Sequence, residues 1–241
     1  MRERPTALPL EKAALRVAVI APALIIAALG GCTSTVRPGL DRRPIAITEP
    51  LDGSSRARLA YATSESASCQ AWLAAAAVPF RPVADQIQSE TCRVIAAGTL
   101  QNDGVRYAPP RPMMTCPLAA AVSLWRRQAV DAAALEIFGA RVTQIDHLGV
   151  YACRPVNNTP GARPSAHARA SAMDIAGVRL SDGRRISVKA HWSDGAAAEG
   201  RFLRRIRDGA CQVFQTTLSP DYNLAHADHL HLELGEGRIC R

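Results

Sequence analysis

Ser171-Ala-Met-Asp174-Ile-Ala-Gly-Val-Arg-Leu180 is followed by Ser181-Asp182-Gly183 and then by Arg184-Arg-Ile-Ser-Val-Lys189. Asp-Gly between two apolar alternations is a β-hairpin signal, because glycine supplies the positive φ that a tight turn needs. Side chains alternate faces along a strand, so Ala172, Asp174 and Ala176 share one side while Met173 and Ile175 share the other. One face packs on a core. The other carries a carboxylate flanked by small residues that leave room for a metal ion.

The pattern extends in both directions from this hairpin. Downstream, Phe202, Leu203, Ile206, Ala210, Val213 and Phe214 recur at helical spacing and leave the arginines outward, which predicts a helix over 198–214. It leads into Asp228-His-Leu-His-Leu-Glu-Leu234, a strand with His229, His231 and Glu233 on one face and the leucines on the other. By the same alternation Asp228 points away from His231. Upstream, Thr115-Cys-Pro117 opens a helix, with Thr as cap, Pro in the first turn, and Leu118, Val122 and Trp125 on one face. Asp131 is placed to cap a second short helix that stops at Gly139, and Val142–Leu148 and Val150–Arg154 read as short strands. These elements predict an α+β domain with a small, largely antiparallel sheet and flanking helices.

Four of the six histidines, His167, His226, His229 and His231, fall with Asp174 in two short segments. That set reads as a zinc site. Three nitrogen or oxygen ligands with a fourth position left to water are the usual catalytic arrangement, and His167, Asp174 and His231 supply them. His147 and His191 find no partners in the sequence and are read as structural. Ser165 is assigned to supporting the ligand loop, since no Gly-x-Ser-x-Gly elbow surrounds it.

At the N-terminus, Arg2, Arg4, Lys12 and Arg16 precede the apolar run Val17–Leu29, which ends in Leu29-Gly-Gly-Cys32. The run is short for a membrane span, which takes about 20 apolar residues. Small residues before a cysteine suit signal-peptidase cleavage and lipidation, so residues 1–31 read as a lipoprotein leader and Cys32 as a lipidated, membrane-tethering residue. Residues 32–64, rich in Thr, Ser, Pro and Arg, read as a flexible tether, and 65–241 as one domain. Setting Cys32 aside leaves Cys69, Cys92, Cys116, Cys153, Cys211 and Cys240, an even set for three disulfides whose connectivity the sequence does not choose. Disulfides imply an oxidising compartment, here the periplasm or cell envelope, and Thr33 and Ser34 after Cys32, which lack an Asp retention signal, point to the outer membrane. There is no Cys-x-x-Cys pair, so a zinc ion would rely on His and Asp. The net charge of +8 is moderate, and neither motif nor aromatic content points to nucleic acid.

The chain resembles the extensin-like C-terminal domain family through Cys116-Pro117, Tyr151-Ala-Cys153-Arg154, Ser165–Asp174, Asp182-Gly-Arg184, Phe202-Leu-Arg204 and the last histidine cluster. These motifs are also similar to those of the zinc peptidases that include D-Ala-D-Ala carboxypeptidases and penicillin-insensitive murein endopeptidases. That resemblance implies the zinc D-Ala-D-Ala peptidase-like α+β fold, here stapled by the disulfides, with Zn2+ as cofactor and peptidoglycan stem peptides as substrate. The family pattern Ser-x-His-x-x-Gly-x-Ala-x-Asp is met by Ser165, His167, Ala172 and Asp174, with Ala170 where the pattern has Gly. The His-x-x-His-x-His ending is met by His226, His229 and His231; the last is the implied ligand and the other two act in catalysis. The carboxypeptidases instead carry an acid at the position of Asp228, so Asp228 is the alternative to His229 as acid/base. Arg154 resembles their substrate arginine. The functional expectation is hydrolysis of peptidoglycan cross-links or stem peptides, of D,D-endopeptidase or carboxypeptidase type. The alternative is a non-catalytic peptidoglycan-binding or envelope scaffolding lipoprotein on the same fold.

Overall fold

The hairpin turn at Gly183, with φ at +89°, joins the longest strand of the domain to a short partner. The computed structural model describes residues 43–241; the leader and Cys32 lie outside them. The described chain begins with helices α1 (Ser55–Ala62) and α2 (Ser66–Ala75). Six short strands follow: β1 (Phe80–Pro82), β2 (Gln86–Ile87), β3 (Arg93–Val94), β4 (Ala97–Leu100), β5 (Arg106–Ala108) and β6 (Met113–Thr115). Helices α3 (Cys116–Trp125) and α4 (Asp131–Phe138) lead to strands β7 (Val142–Gly149), β8 (Ala172–Leu180) and β9 (Arg185–Ser187). The one-turn α5 (Val188–His191) and α6 (Ala198–Val213) precede β10 (Thr216–Leu218), β11 (Leu230–Glu233) and β12 (Ile239–Cys240).

The principal sheet runs β12-β10-β11-β8-β7-β5, and β8 organises it. One edge of β8 pairs with β7; the other is shared between β11, against Ala172–Ile175, and β9, against Gly177–Arg179. All of these pairings are antiparallel, as is β10 on β11, whereas the outer strands β5 and β12 add in parallel. The fold is thus mixed α and β, with the expected antiparallel centre. Two small antiparallel sheets, β1-β4-β6 and β2-β3, lie outside it.

Alternation and helical period place the core where the sequence puts it. Met173, Ile175, Leu230 and Leu232 turn inward from β8 and β11, and Phe202, Leu203, Ile206, Ala210 and Val213 turn inward from α6. Helix α3 is buried on every side, as its uniformly apolar sequence requires. The Trp125 indole N–H donates to the Ile206 carbonyl at 2.8 Å, which satisfies the one polar group the tryptophan brings into the core. Thr115 caps α3 by accepting from Leu118 N–H, and Gly139, in the left-handed region, ends α4.

Three expectations change. Asp131 caps no helix: it is the first residue of α4, which α3 enters directly through the π-helical turn Arg126–Val130, and its carboxylate instead pairs with the buried guanidinium of Arg126, which also holds Asp103 at 2.9 Å. Residues 150–154 form no strand, because their backbone is committed elsewhere; Ala152 N–H donates to the His167 carbonyl at 3.1 Å and the Val150 carbonyl receives the His167 ring. The composition of 32–64 suggests a tether, yet from Ile45 onward the chain packs on the domain. Ile45 and Leu59 are buried, the Ile45 carbonyl accepts from the Trp72 indole at 2.6 Å, and Arg58 clasps Arg43, Pro44 and Glu49. A few well-placed apolar residues and long polar side chains anchor a segment whose average composition is unremarkable for a linker.

All six domain cysteines pair. Cys69–Cys116 ties α2 to α3, Cys92–Cys153 ties the β2-β3 hairpin to the segment after β7, and Cys211–Cys240 ties α6 to β12. Each closes a loop whose entropy the unfolded chain loses, stabilising the fold by about 2–4 kcal/mol per bond.

Candidate metal centre

The ladder between β8 and β11 sets His231 directly opposite Asp174. Both face away from the core, and Asp174 Oδ1 lies 2.8 Å from His231 Nδ1. His167 arrives from a separate element, the 3-10 turn Ala166–Arg169, whose first turn Ser165 caps by accepting the His167 N–H at 3.3 Å. Ser165 therefore supports the turn that carries His167. Ala170 closes the turn at φ +52°, in the left-handed region that glycine enters most easily. The alanine bears the backbone strain of that conformation.

His167 Nε2 stands 3.3 Å from Asp174 Oδ2 and 3.3 Å from His231 Nδ1. The outer nitrogens settle what the inner ones present. His167 Nδ1–H donates to the Val150 carbonyl at 2.8 Å, and His231 Nε2–H donates to Glu233 at 2.9 Å. Each imidazole is thereby fixed by an oxygen acceptor behind it, the arrangement that orients histidine ligands. Two inner nitrogens and a carboxylate are left converging on one point, with all three ligand atoms within 4.8 Å of one another. Ligands at about 2.0–2.1 Å from a tetrahedral zinc stand about 3.3 Å apart, so the set fits such an ion.

The same hydrogen bonds set how the cluster titrates. Burial pulls the His231 pKa down, but hydrogen bonds to Asp174 and Glu233 outweigh it and push the value up to about 9. Burial likewise raises Asp174, yet hydrogen bonds from His167 and His231 hold it well below the usual carboxylate range. Glu233 is lowered on the same balance, its burial overcome by His231.

The other sequence candidates surround this set. His229 Nε2 lies 3.5 Å from Asp174 Oδ1, and its Nδ1–H donates to Asp228 at 2.9 Å. Asp228 thus departs from expectation. It precedes β11 in a turn, where strand alternation does not apply, and its half-exposed carboxylate stands behind His229 instead of turning away from the site. His226, in the 3-10 turn Leu224–His226, donates Nδ1–H to Asn223 at 2.7 Å and packs its ring against Tyr222, His229 and His231. Burial, followed by repulsion from His229 and His231, lowers His226 to about 4, so it is neutral at pH 7. Arg154 lines the same cavity of about 410 Å³, together with Arg163, Ser165, His167, Asp174, His229 and Glu233.

His147 and His191 stay outside: His147 Nε2 meets the Pro109 carbonyl at 2.8 Å, and His191 Nδ1 accepts the Ser187 N–H at 3.1 Å. The sequence places Glu233 on the ligand face but assigns it no role; the His-x-His-x-Glu spacing is the signal. Arg163 and Asn223 carry no sequence signal, being loop residues brought in by tertiary contacts.

These shifts set opposite pH trends in the metal-free protein. His226, with a folded pKa below its unfolded value of 6.5, contributes stability present above pH 6.5 and lost as pH falls toward 4. His231, with a raised value, contributes stability present below pH 6.5 and lost as pH rises through about 9. Calorimetry on the metal-free domain is expected to show a melting temperature that peaks near pH 6.5. Added zinc must displace the His231 Nδ1 proton, so its stabilising shift is expected to grow between pH 7 and 9. A zinc shift that shrinks over that range would contradict the ligand assignment.

Comparison with known proteins gives a match to the family model of the extensin-like protein C-terminus over residues 67–241. No curated protein matches, and no solved structure does. The match begins inside α2 and takes in every residue of the candidate centre. The chain belongs to the extensin-like protein C-terminal family.

Proposed function

We propose that this chain is a zinc-dependent hydrolase of peptidoglycan peptides, acting on cross-links or stem peptides, with the D-Ala-D-Ala peptidase type of fold and site. The observation that carries the reading is the convergence of His167 Nε2, Asp174 and His231 Nδ1, each imidazole held from behind by an oxygen acceptor, at the floor of an open cavity. In this reading Cys32, outside the described residues, anchors the protein by a lipid to an envelope membrane facing the wall.

His167, Asp174 and His231 would hold the ion. Bound zinc supplies a Lewis acid and lowers the pKa of its water to about 7. His229 acts as the base: Asp228 holds its Nδ1–H, which leaves Nε2 to take a proton from the attacking water and return it to the leaving amine. His226 is kept neutral, and with Nδ1 committed to Asn223 it offers Nε2 as a hydrogen-bond acceptor. Arg154 supplies positive charge for the oxygen that becomes anionic.

The test is chromatographic mapping of isolated peptidoglycan digested with the zinc-loaded chain. New, shorter peptides that disappear with chelator are the expected result. Stoichiometric zinc with an unchanged peptide profile would refute hydrolysis and favour the wall-binding alternative.

A further inference from the structure

One wall of the cavity is a two-stranded ribbon that the metal-ligand set does not use. Pro155 and Pro164 form an antiparallel bridge. Ser165 N–H donates to the Arg154 carbonyl at 3.1 Å, and Val156 N–H donates to the Arg163 carbonyl at 3.0 Å. Arg154 therefore stands opposite Ser165, and Val156 opposite Arg163. Alternation puts these four side chains on one face of the ribbon and the two prolines on the other. The cavity lining follows that division: Arg154, Val156, Arg163 and Ser165 border it, and neither proline does.

Arg154 and Arg163 occupy diagonal positions of the ribbon, a relation that separates side-chain roots by about 7–8 Å. Among the described residues neither guanidinium has a hydrogen bond or ion pair. Asp174 and Glu233 are hydrogen-bonded by the histidines; the Arg163 charge helps to lower the Glu233 pKa but makes no ion pair with it, and Glu236, which also borders the cavity, pairs with neither arginine. The ribbon is anchored at both ends. Cys153, immediately before Arg154, is bonded to Cys92, and Ser165, immediately after Pro164, caps the turn that carries His167. Two cations without a hydrogen-bonded carboxylate partner thus border the cavity on one anchored ribbon.

We propose that Arg163 is a specificity residue that binds a carboxylate of the substrate within about two residues of the amide facing Arg154. The inference rests on the hydrolase reading and deepens it. An extended peptide advances about 3.3–3.6 Å per residue, so the diagonal spacing spans two residues. The planar guanidinium fork binds a carboxylate through two charge-assisted hydrogen bonds, whereas an uncharged amide offers it one neutral acceptor oxygen. The carboxylate can belong to the peptide C-terminus or to an acidic side chain, and the two sources are separable.

A peptidoglycan stem peptide is prepared in three forms: unmodified, C-terminally amidated, and amidated on its side-chain carboxylate. With the zinc-loaded chain, one of the two amidations is expected to raise KM about tenfold with a smaller change in kcat, the size of a charge-assisted hydrogen bond in water-accessible surroundings. The form that suffers identifies the source. In Arg163→Gln the ratio between unmodified and amidated forms is expected to collapse to about one, and in Arg163→Lys to fall only partly. Calorimetric binding of the same three peptides gives a second readout that does not depend on turnover. Preferential binding without cleavage overturns the hydrolase reading and leaves this inference standing. Cleavage or binding indifferent to both amidations, a preference that survives Arg163→Gln, or failure to bind any of the three overturns the inference.

Discussion

His229→Ala is expected to retain zinc at one ion per chain and to lose peptidoglycan turnover by about 10²- to 10⁴-fold, the range typical of removing a general acid/base. His229 reaches the set only through a 3.5 Å approach to Asp174 and donates its other nitrogen to Asp228, so its loss takes away a proton carrier and no ligand. His231→Ala makes the contrast. It removes Nδ1 from the converging set and leaves Asp174 and Glu233 without their shared cation, so zinc is expected to be lost and the zinc-dependent rise in melting temperature with it. Asp228→Ala, which only frees the His229 ring, is expected to give an intermediate loss of turnover with zinc retained. Metal analysis of the purified variants beside product chromatography checks all three. If His229→Ala keeps its activity while Asp228→Ala is dead with zinc bound, the base is the carboxylate and the histidine assignment is wrong.

Glu233→Gln is expected to weaken zinc binding by about 10–100-fold while the domain stays folded. The glutamine amide oxygen can still accept from His231 Nε2–H, so orientation is retained, but the negative charge that makes the ring a stronger ligand is gone. The same change removes one of the two carboxylates that hold the His231 pKa up at about 9, so in the metal-free variant that value is expected to fall. Competition titration with a metal indicator measures the first effect, and NMR titration of the His231 ring measures the second. Unchanged affinity together with an unmoved titration would mean that Glu233 merely fills space in the cavity wall. The paired readout separates an electrostatic role from simple packing, because packing loss alone would lower stability without shifting the ring.

The segments that were legible in the sequence share a property: their signals are local. Strand alternation in 228–234 puts Leu230 and Leu232 in the core and His231 and Glu233 on the working face, and the structure has them there. The Asp182-Gly183 turn, the Thr115 cap and the Gly139 stop are readable because each meets a backbone requirement within a few residues. The even cysteine set is readable as arithmetic, although the partners are not. Asp228 shows where local reading ends. Alternation holds only while the chain is a strand, and β11 begins at Leu230, so two residues earlier the rule no longer applies.

The sequence by itself determined the mixed α and β character, the apolar faces of β8, β11 and α6, and the short list of residues able to bind a metal. Only the tertiary structure decided that Asp174 and His231, 57 residues apart, share one rung of a ladder and that Val150 and Glu233 fix the two rings. It also decided which cysteines pair, that the segment from Ile45 belongs to the domain, and that Arg163 joins Arg154 on one wall. The physical reason is range. Period, capping and turn chemistry are set by interactions between near neighbours, and so they are written in the order of residues. Register and pairing between distant segments follow from how the whole core packs, a sum over contacts that no single stretch contains.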